Sequence, residues 1–424
     1  MNTKLTNIAL CGSVLRTAIL SIGIICVALQ VGYAQPAIKI ANRQVTIDAG
    51  VTNDIIAEFK KVSADGAGYS VTLQKIKSND DIAKICSSFP NVAALIIRAE
   101  KEITSIAPIT KLKSITNFQL HGGSATDYSP INSLTTLTFL YVQSCPVGPD
   151  LKWLSRLTKL TTLCIWGDNR LPGGTKLVSL EGIPDMPGLR SIQISDAAPP
   201  TLAPLQVLSS VRELELRNSN IIDLTPLTGM PSLEKLNLYG STVKDFTPLS
   251  GCRKLKEVFF YATKNADYET LSKVTQLEIL RGGLTPLKDI SWIPALTNLK
   301  VYHAFAENIE DFTPLTKLKL EELKLWDMWS KTIDLSFLSA IPTLKKLILD
   351  ATEGVSKINT IQSLTNLESL TITRFNTKGG EAVPLDIIKK LPNLKEFIVS
   401  KGVFTSEQLS GFANPSIKIS ERIY

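Results

Sequence analysis

Two histidines, His121 and His303, are the side chains best suited to acid–base or metal chemistry near neutral pH. They lie far apart along the chain, and no HExxH, GxSxG, phosphate-loop or zinc-type cysteine spacing accompanies either. The pairs Gly122-Gly123, Gly173-Gly174, Gly282-Gly283 and Gly379-Gly380 read as turn glycines, not phosphate cradles. Acids are scattered singly; Glu213, Glu215 and Glu257 come nearest to a cluster, and a solvated face accounts for them. Catalysis, a metal and a cofactor are therefore not expected. The chemistry these residues do suit is recognition. Tyr239, Phe259, Tyr261, Arg281, Tyr302, His303, Trp326 and Trp329 combine broad rings with cations, the types that dominate contact energies at protein interfaces. Lys300 and Lys324 lie between them. They fall at nearly regular intervals, so a repeated element must carry them.

That element is the pattern L-x-x-L-x-L. It is plain in Ile222-Asp-Leu-Thr-Pro-Leu-Thr-Gly-Met-Pro-Ser-Leu-Glu-Lys-Leu-Asn-Leu238 and again from Val243 to Phe260. The first apolar residue of each strand pair marks fourteen units: Leu95, Phe118, Leu140, Leu163, Ile192, Leu214, Leu236, Val258, Leu280, Leu299, Leu323, Leu347, Leu370 and Phe397. Most steps are 22 to 24 residues, with outliers of 29 after Leu163, 19 after Leu280 and 27 after Leu370. Strand alternation sends Leu236 and Leu238 inward and Asn237 and Tyr239 outward. Leu224, Leu227, Met230 and Leu233 then recur every third residue, which suits a return path of extended chain and 3₁₀ turns. Pro108, Pro130, Pro204, Pro226 and Pro248 precede that leg, where a fixed φ costs nothing. One unit cannot bury its own leucines, but stacked units bury them in a continuous core.

The phrase Ile-x-Asp-Leu-Thr-Pro-Leu-x-x-Met-x-x-Leu-x-x-Leu-x-Leu resembles the short repeat of bacterial internalins and related leucine-rich-repeat proteins over residues 89–402. The resemblance implies an α/β repeat solenoid: a horseshoe with a concave parallel sheet of about fourteen strands, a convex side of extended and 3₁₀ segments, and protein partners bound on the sheet. Two features depart from the family. Its usual Asn five residues after the marker is absent; that column reads Gly123, Cys145, Asp168, Ala197, Ser219, Ser241, Thr263, Thr285, Ala304 and Thr352. Ser, Thr and Asp can serve some of the turn backbone, whereas Ala and Gly cannot. No wall-sorting signal or immunoglobulin-like module is seen.

The register assigns two outward columns on the concave face. One holds Gln119, Tyr141, Cys164, Gln193, Glu215, Asn237, Phe259, Arg281, Lys300, Lys324, Ile348 and Thr371. The other, richer in rings, holds His121, Gln143, Trp166, Ser195, Arg217, Tyr239, Tyr261, Gly283, Tyr302, Trp326, Asp350 and Thr373. Three segments break the period on one side and are candidates for recognition loops: Asp168–Lys176, Asp327–Lys331 and Asn376–Gly380.

The ends read as caps. Residues 35–88 lack the full motif but offer strand-like Ala37–Ile40 and Val45–Ile47 and an amphipathic helix over Asn53–Val62. In residues 403–424, Thr405-Ser-Glu-Gln408 forms a capping box and Ile417-Lys-Ile419 can close the last edge. Residues 1–34 read as a signal peptide. Lys4 and Arg16 precede an apolar run over Thr17–Leu29, and Gly32-Tyr33-Ala34 offers small residues for cleavage. That leader sends the protein to a secreted or periplasmic location; an uncleaved leader would instead tether it to a membrane. A net charge of +7 over 424 residues, with no long basic run, gives no nucleic-acid footprint. Of six cysteines, Cys86, Cys145, Cys164 and Cys252 lie beyond the leader, with no CxxC, and most read as small buried residues. The expectation is an exported, monomeric binding scaffold for a protein partner. A carbohydrate module using the same rings, and a structural envelope protein without a ligand, are the alternatives.

Overall fold

A computed structural model of the chain describes residues 38–423 apart from 49, 149, 168–176, 178, 264, 284–285, 307, 375–381, 411 and 413–415; for 327–331 and 351–354 it describes the backbone alone. The candidate loops Asp168–Lys176 and Asn376–Gly380 thus lie outside the described residues. Strands are β1 (Ile38–Ala41), β2 (Gln44–Asp48), β3 (Ser70–Ile76), β4 (Ala94–Ala99), β5 (Asn117–Gly122), β6 (Phe139–Gln143), β7 (Thr162–Trp166), β8 (Ser191–Ser195) and β9 (Glu213–Arg217). They continue as β10 (Lys235–Asn237), β11 (Glu257–Phe259), β12 (Ile279–Arg281), β13 (Val301–Phe305), β14 (Glu322–Asp334), β15 (Lys346–Ser356), β16 (Ser369–Thr373), β17 (Glu396–Ser400) and β18 (Lys418–Arg422). All eighteen form one sheet, parallel throughout except for the β1–β2 hairpin. The fourteen strands counted from the motif are β4 to β17.

Residues 38–88 extend the sheet. Val45 pairs with Val71, and Val71 with Leu95, so β2 and β3 share the register of the repeats. Their return legs are full helices, α1 (Asn53–Val62) and α2 (Asn79–Ser88), capped by Thr52 and Ser78. At the far end, the Thr405–Gln408 capping box starts the short helix Ser406–Leu409, and β18 covers β17. Among the described residues no helix is long and apolar enough to cross a membrane.

Inside the repeats most convex legs are 3₁₀ turns of three to six residues, with Pro108, Pro130, Pro204, Pro226 and Pro248 in their first turns; the leg before β17 is a short α-helix, Leu385–Ile388. The Asp of the repeated phrase has a local job. The Asp223, Asp245 and Asp311 carboxylates each accept from the backbone N–H two residues on, at 2.8, 2.7 and 2.8 Å, which starts the turn. The inward leucines are fully buried; Leu233, Leu236 and Leu238 are at most 1% exposed. Seven strands leave the sheet through a left-handed residue four past the marker: Gly122, Ser144, Asp196, Asn218, Gly240, Ala262 and Arg374 all have φ between +49° and +77°. Several of these residues donate to the strand end of the next unit, as Asn218 N–H does to Tyr239 O at 2.7 Å and Gly240 N–H to Tyr261 O at 2.7 Å. The following column stands in for the missing Asn with smaller groups. Thr263 Oγ1 donates to Phe260 O at 2.9 Å, Ser219 Oγ to Arg217 O at 3.1 Å, and Cys145 Sγ contacts Gln143 O and Gly122 O at 2.9 and 3.0 Å. Burial pushes the Cys145 thiol up to about 12, so it stays a neutral donor. Cys86, Cys145, Cys164 and Cys252 are buried and form no disulfide among the described residues.

One marker requires correction. Leu280 pairs with Tyr302, not Leu299, and Tyr302 pairs with Leu323. The steps then become 22 and 21, and the apparent 19-residue unit disappears. Tyr302 fills the place that leucine takes elsewhere and is 1% exposed. The next inward residue, Ala304, is small, which leaves volume for a ring beside it. The segment Asp327–Lys331 is also not a detached loop: β14 and β15 stay paired beyond it, with an irregularity between Met328 and Thr332.

Candidate binding surface on the concave sheet

The corrected register redraws the outward columns. One past each marker stand Asn237, Phe259, Arg281, His303 and Lys324; three past stand Tyr239, Tyr261, Gly283, Phe305 and Trp326. Tyr302 is therefore not a contact residue, because strand alternation turns it into the core. Lys300 leaves the face too. It lies two before the marker, in a rim column that alternates in sign along Arg212, Glu234, Lys256, Glu278, Lys300, Glu321, Lys345, Glu368 and Lys395. Neighbours pair: Lys256–Glu278 at 2.8 Å, Lys300–Glu278 at 3.0 Å, Lys345–Glu321 and Lys395–Glu368 at 2.8 Å. This ladder satisfies its own charge. The side chain of Trp329 lies outside the described residues.

The remaining rings make a continuous lane. Tyr239 and Tyr261 stack with centroids 5.1 Å apart and planes within 8°. Phe259 lies parallel to Tyr261 at 6.0 Å. Tyr261 meets Trp326 at 5.5 Å, and Phe305 meets Trp326 edge-on at 6.2 Å. Cations close both ends: Arg217 lies 5.0 Å from the Tyr239 centroid, and Lys324 Nζ 4.5 Å from that of Trp326. Beyond Arg217 the lane runs on through Trp166, Tyr141 and His121. Tyr239, Phe259, Tyr261 and Trp326 lie partly open, while Phe305 is buried beside them.

Gly283 makes this contact possible. A β-carbon there would fall 2.4 Å from Tyr261 Cδ2 and 2.9 Å from Trp326 Cζ2. Gly282 does the same inside, where a β-carbon would fall 2.3 Å from Cζ of buried Phe260. Neither glycine has a positive φ, so this pair is not a turn, contrary to the sequence reading; Gly122 and Gly123, at +77° and +87°, are.

Electrostatics beside the lane are layered. Arg281 pairs with Glu257 at 2.5 Å, and His303 Nε2 meets Glu322 Oε1 at 2.7 Å. Burial holds the His303 ring below the usual imidazole range against the pull of Glu322, so it is neutral at pH 7. The hydrogen bond from His303, with Lys346 nearby, holds the Glu322 carboxyl down at about 2. Asp350 accepts from Arg374 Nε and NH2, both at 3.0 Å. Glu213 is taken by Lys235 at 2.9 Å, so the acids noted in the sequence do not form a free acidic spot.

Of the predicted contact residues, Tyr239, Phe259, Tyr261 and Trp326 come together as rings, and Arg281 and His303 line their flank. Phe305 was missed. Counting 22 residues from Leu280 to Tyr302 would have found it.

No family model and no curated protein matches the chain. Solved structures do. A leucine-rich-repeat protein of Leptospira interrogans shares 17% identity over 87% of this chain and 92% of its own, with a TM-score of 0.58. A chain of the Toll–Spatzle complex of Drosophila shares 13% over 86% of this chain and 51% of its own, with a TM-score of 0.54. An internalin of Listeria monocytogenes shares 18% over 88% of this chain and 95% of its own, at 0.47. At these identities the first two likenesses establish the fold: this chain is a leucine-rich-repeat solenoid.

Proposed function

We propose that the protein is an exported binding scaffold, not a catalyst, and that it takes a protein partner on the aromatic lane of its concave sheet. The observation that carries this is the stacking of Tyr239, Phe259 and Tyr261 in planes 1° to 9° apart, with Arg217 and Lys324 over the end rings. A module of this size that needed only to fold has no use for a row of half-open rings, which cost solubility. Rings that face one another offer few open faces for sugar stacking and present edges and rims instead. That favours a polypeptide surface over a glycan. The Toll–Spatzle complex, built on the same fold, is an instance of a solenoid holding a partner. Export rests on the leader over residues 1–34 and is part of the proposal.

The test compares the purified protein with a Tyr239→Ser, Tyr261→Ser, Trp326→Ser variant in capture from envelope and host-cell extracts and on a glycan array. Retention of one protein by the wild type and its loss from the variant is the expected result. Identical retention by both would overturn the lane as the contact surface, and a glycan lost in the same way would replace the protein partner.

A further inference from the structure

Past Arg217, over β5 to β8, the concave face changes character. The outward positions one before, one after and three after each marker hold no charged residue on these four strands, whereas β9, β10, β11 and β12 carry Glu215, Lys235, Glu257 and Arg281 there. The rim changes too. In place of the charge ladder stand Thr116, Thr138 and Thr161, whose hydroxyls donate to backbone carbonyls of the preceding unit at 3.2, 3.1 and 2.9 Å. Burial holds the His121 ring below the usual imidazole range, so it is neutral at pH 7. A ligand covering this field strips water from no charge.

Amides fill the field. Gln143 Oε1 accepts from the Tyr141 hydroxyl at 2.9 Å and meets His121 Nδ1 at 3.1 Å, which fixes the amide and leaves its Nε2 without a hydrogen bond among the described residues. Gln119 Nε2 donates to Asn117 Oδ1 at 3.1 Å, which leaves the Gln119 oxygen and the Asn117 nitrogen open. The Gln193 side chain makes no hydrogen bond among the described residues. All four amides are half-buried. Open donors and open acceptors thus stand side by side, a pattern that a hydroxyl matches because it is both. The rings also differ from those beyond Arg217. Tyr141 and Trp166 lie 5.6 Å apart with planes 54° from parallel, so they do not cover one another's faces as Tyr239 and Tyr261 do at 8°. Arg217, 5.9 Å from the Trp166 centroid, closes the field on the β9 side.

We infer that β5 to β8 form a second binding site, separate from the rings between Tyr239 and Trp326, for an uncharged oligosaccharide. Its hydroxyls meet the amides of Gln119, Gln143 and Gln193, and the C–H faces of its rings lie on Tyr141 and Trp166. Electrostatic matching selects the class, because a charged segment finds no countercharge within the field and a neutral, hydroxyl-rich chain needs none. The four strands span about 14 Å, room for a short oligosaccharide. The site does not depend on what the lane binds.

The test exposes the full chain to an array of uncharged hexose and N-acetylhexosamine oligomers beside sialylated and sulfated glycans, and measures any glycan retained by calorimetry. At least one uncharged oligomer is expected to bind, with an affinity that holds between about 0.05 and 0.5 M salt. Trp166→Ala and Gln193→Ala, each verified as folded by circular dichroism, should weaken it at least about tenfold. Gln193→Ala should leave the thermal midpoint in place, since that side chain bonds to nothing else. Gln143→Glu keeps an acceptor for Tyr141 and His121 and removes only the amide donors, and it too should weaken binding. The Tyr239→Ser, Tyr261→Ser, Trp326→Ser variant should bind the glycan as the wild type does. No uncharged glycan bound, or acidic glycans alone, overturns the site. A glycan lost from the triple variant but kept by Trp166→Ala also overturns it and places the sugar on the lane. A protein captured from extracts by the wild type and lost from Trp166→Ala and Gln193→Ala, with no glycan bound, assigns the field to a polypeptide instead. A triple variant that loses no protein while Trp166→Ala loses the glycan leaves this site standing and removes only the lane.

Discussion

Gly283 lies directly beneath Tyr261: a β-carbon on the glycine would sit 2.4 Å from the Cδ2 of the ring, closer than any two carbons can pack. The lane's central contact, between Tyr261 after β11 and Trp326 on β14, exists because the position on β12's exit between them has no side chain.

Gly283→Ala should therefore displace Tyr261 and Trp326 without unfolding the solenoid, costing about 1–3 kcal/mol as overpacking. The near-ultraviolet circular dichroism of the stacked rings should change while the far-ultraviolet signal holds. An unchanged aromatic signal would show that the rings do not rest on this glycine. Gly282→Ala presses on Phe260, which is fully buried, and should cost more in a denaturant melt.

Tyr302 and Tyr261 should separate cleanly under mutation. Tyr302 is core, and Tyr302→Ala should cost about 3–5 kcal/mol, whereas Tyr261→Ser should leave the unfolding midpoint much closer to wild type. The Tyr302 hydroxyl is buried without a hydrogen-bond partner, so Tyr302→Phe should be neutral or stabilising by about 1 kcal/mol. A large loss from Tyr302→Phe would mean that the hydroxyl has a partner.

The rim ladder should respond to sign more than to deletion. Lys300→Ala removes one half-exposed pair and should cost no more than about 0.2–1 kcal/mol. Lys300→Glu places an acid between Glu278 and Glu321, and its larger loss should be recovered in part by salt. Salt-independent melting of that variant would show that the ladder is ornamental to stability.

Stability should fall as pH drops from neutral. The folded-state pKa of His303 lies below its ordinary 6.5, chiefly because of burial. The unfolded chain then takes up the proton first, and the contribution present above pH 6.5 is lost as pH falls toward the folded value. Glu322, lowered from 4.5 to about 2 by its hydrogen bond from His303, adds a second loss below pH 4.5. Thermal midpoints at pH 7, 6 and 5 should show the first decline, and His303→Gln should flatten it. A variant with the wild-type slope would assign the decline elsewhere.

Periodicity was enough to determine the solenoid. A residue such as Leu236 recurring every 22 positions can be buried only if units stack, and the parallel register follows from that. The 3₁₀ return legs were legible in the three-residue rhythm of Leu224, Leu227 and Met230, and the left-handed turn at Gly122 and Gly123 in its glycines. Most of the lane was legible for the same reason, because strand alternation tells Tyr239 and Tyr261 from Leu238 and Phe260. The reading failed where a unit broke its own pattern. At Tyr302 a ring takes the leucine's place, and a motif that expects leucine slips three residues, turning a core side chain outward and hiding Phe305. In residues 38–88 the first strands and the helix Asn53–Val62 were legible, but that β2 and β3 continue the register of the repeats was not, because they do so without the leucine phrase. Tertiary structure alone decided what the charges do. Whether Lys300, Arg281 or His303 is free depends on the neighbour one unit away. Ring stacking across Gly283, and the placing of acids behind bases and bases beside rings, likewise belong to contacts between strands about 22 residues apart, which only the stacking of the units brings together.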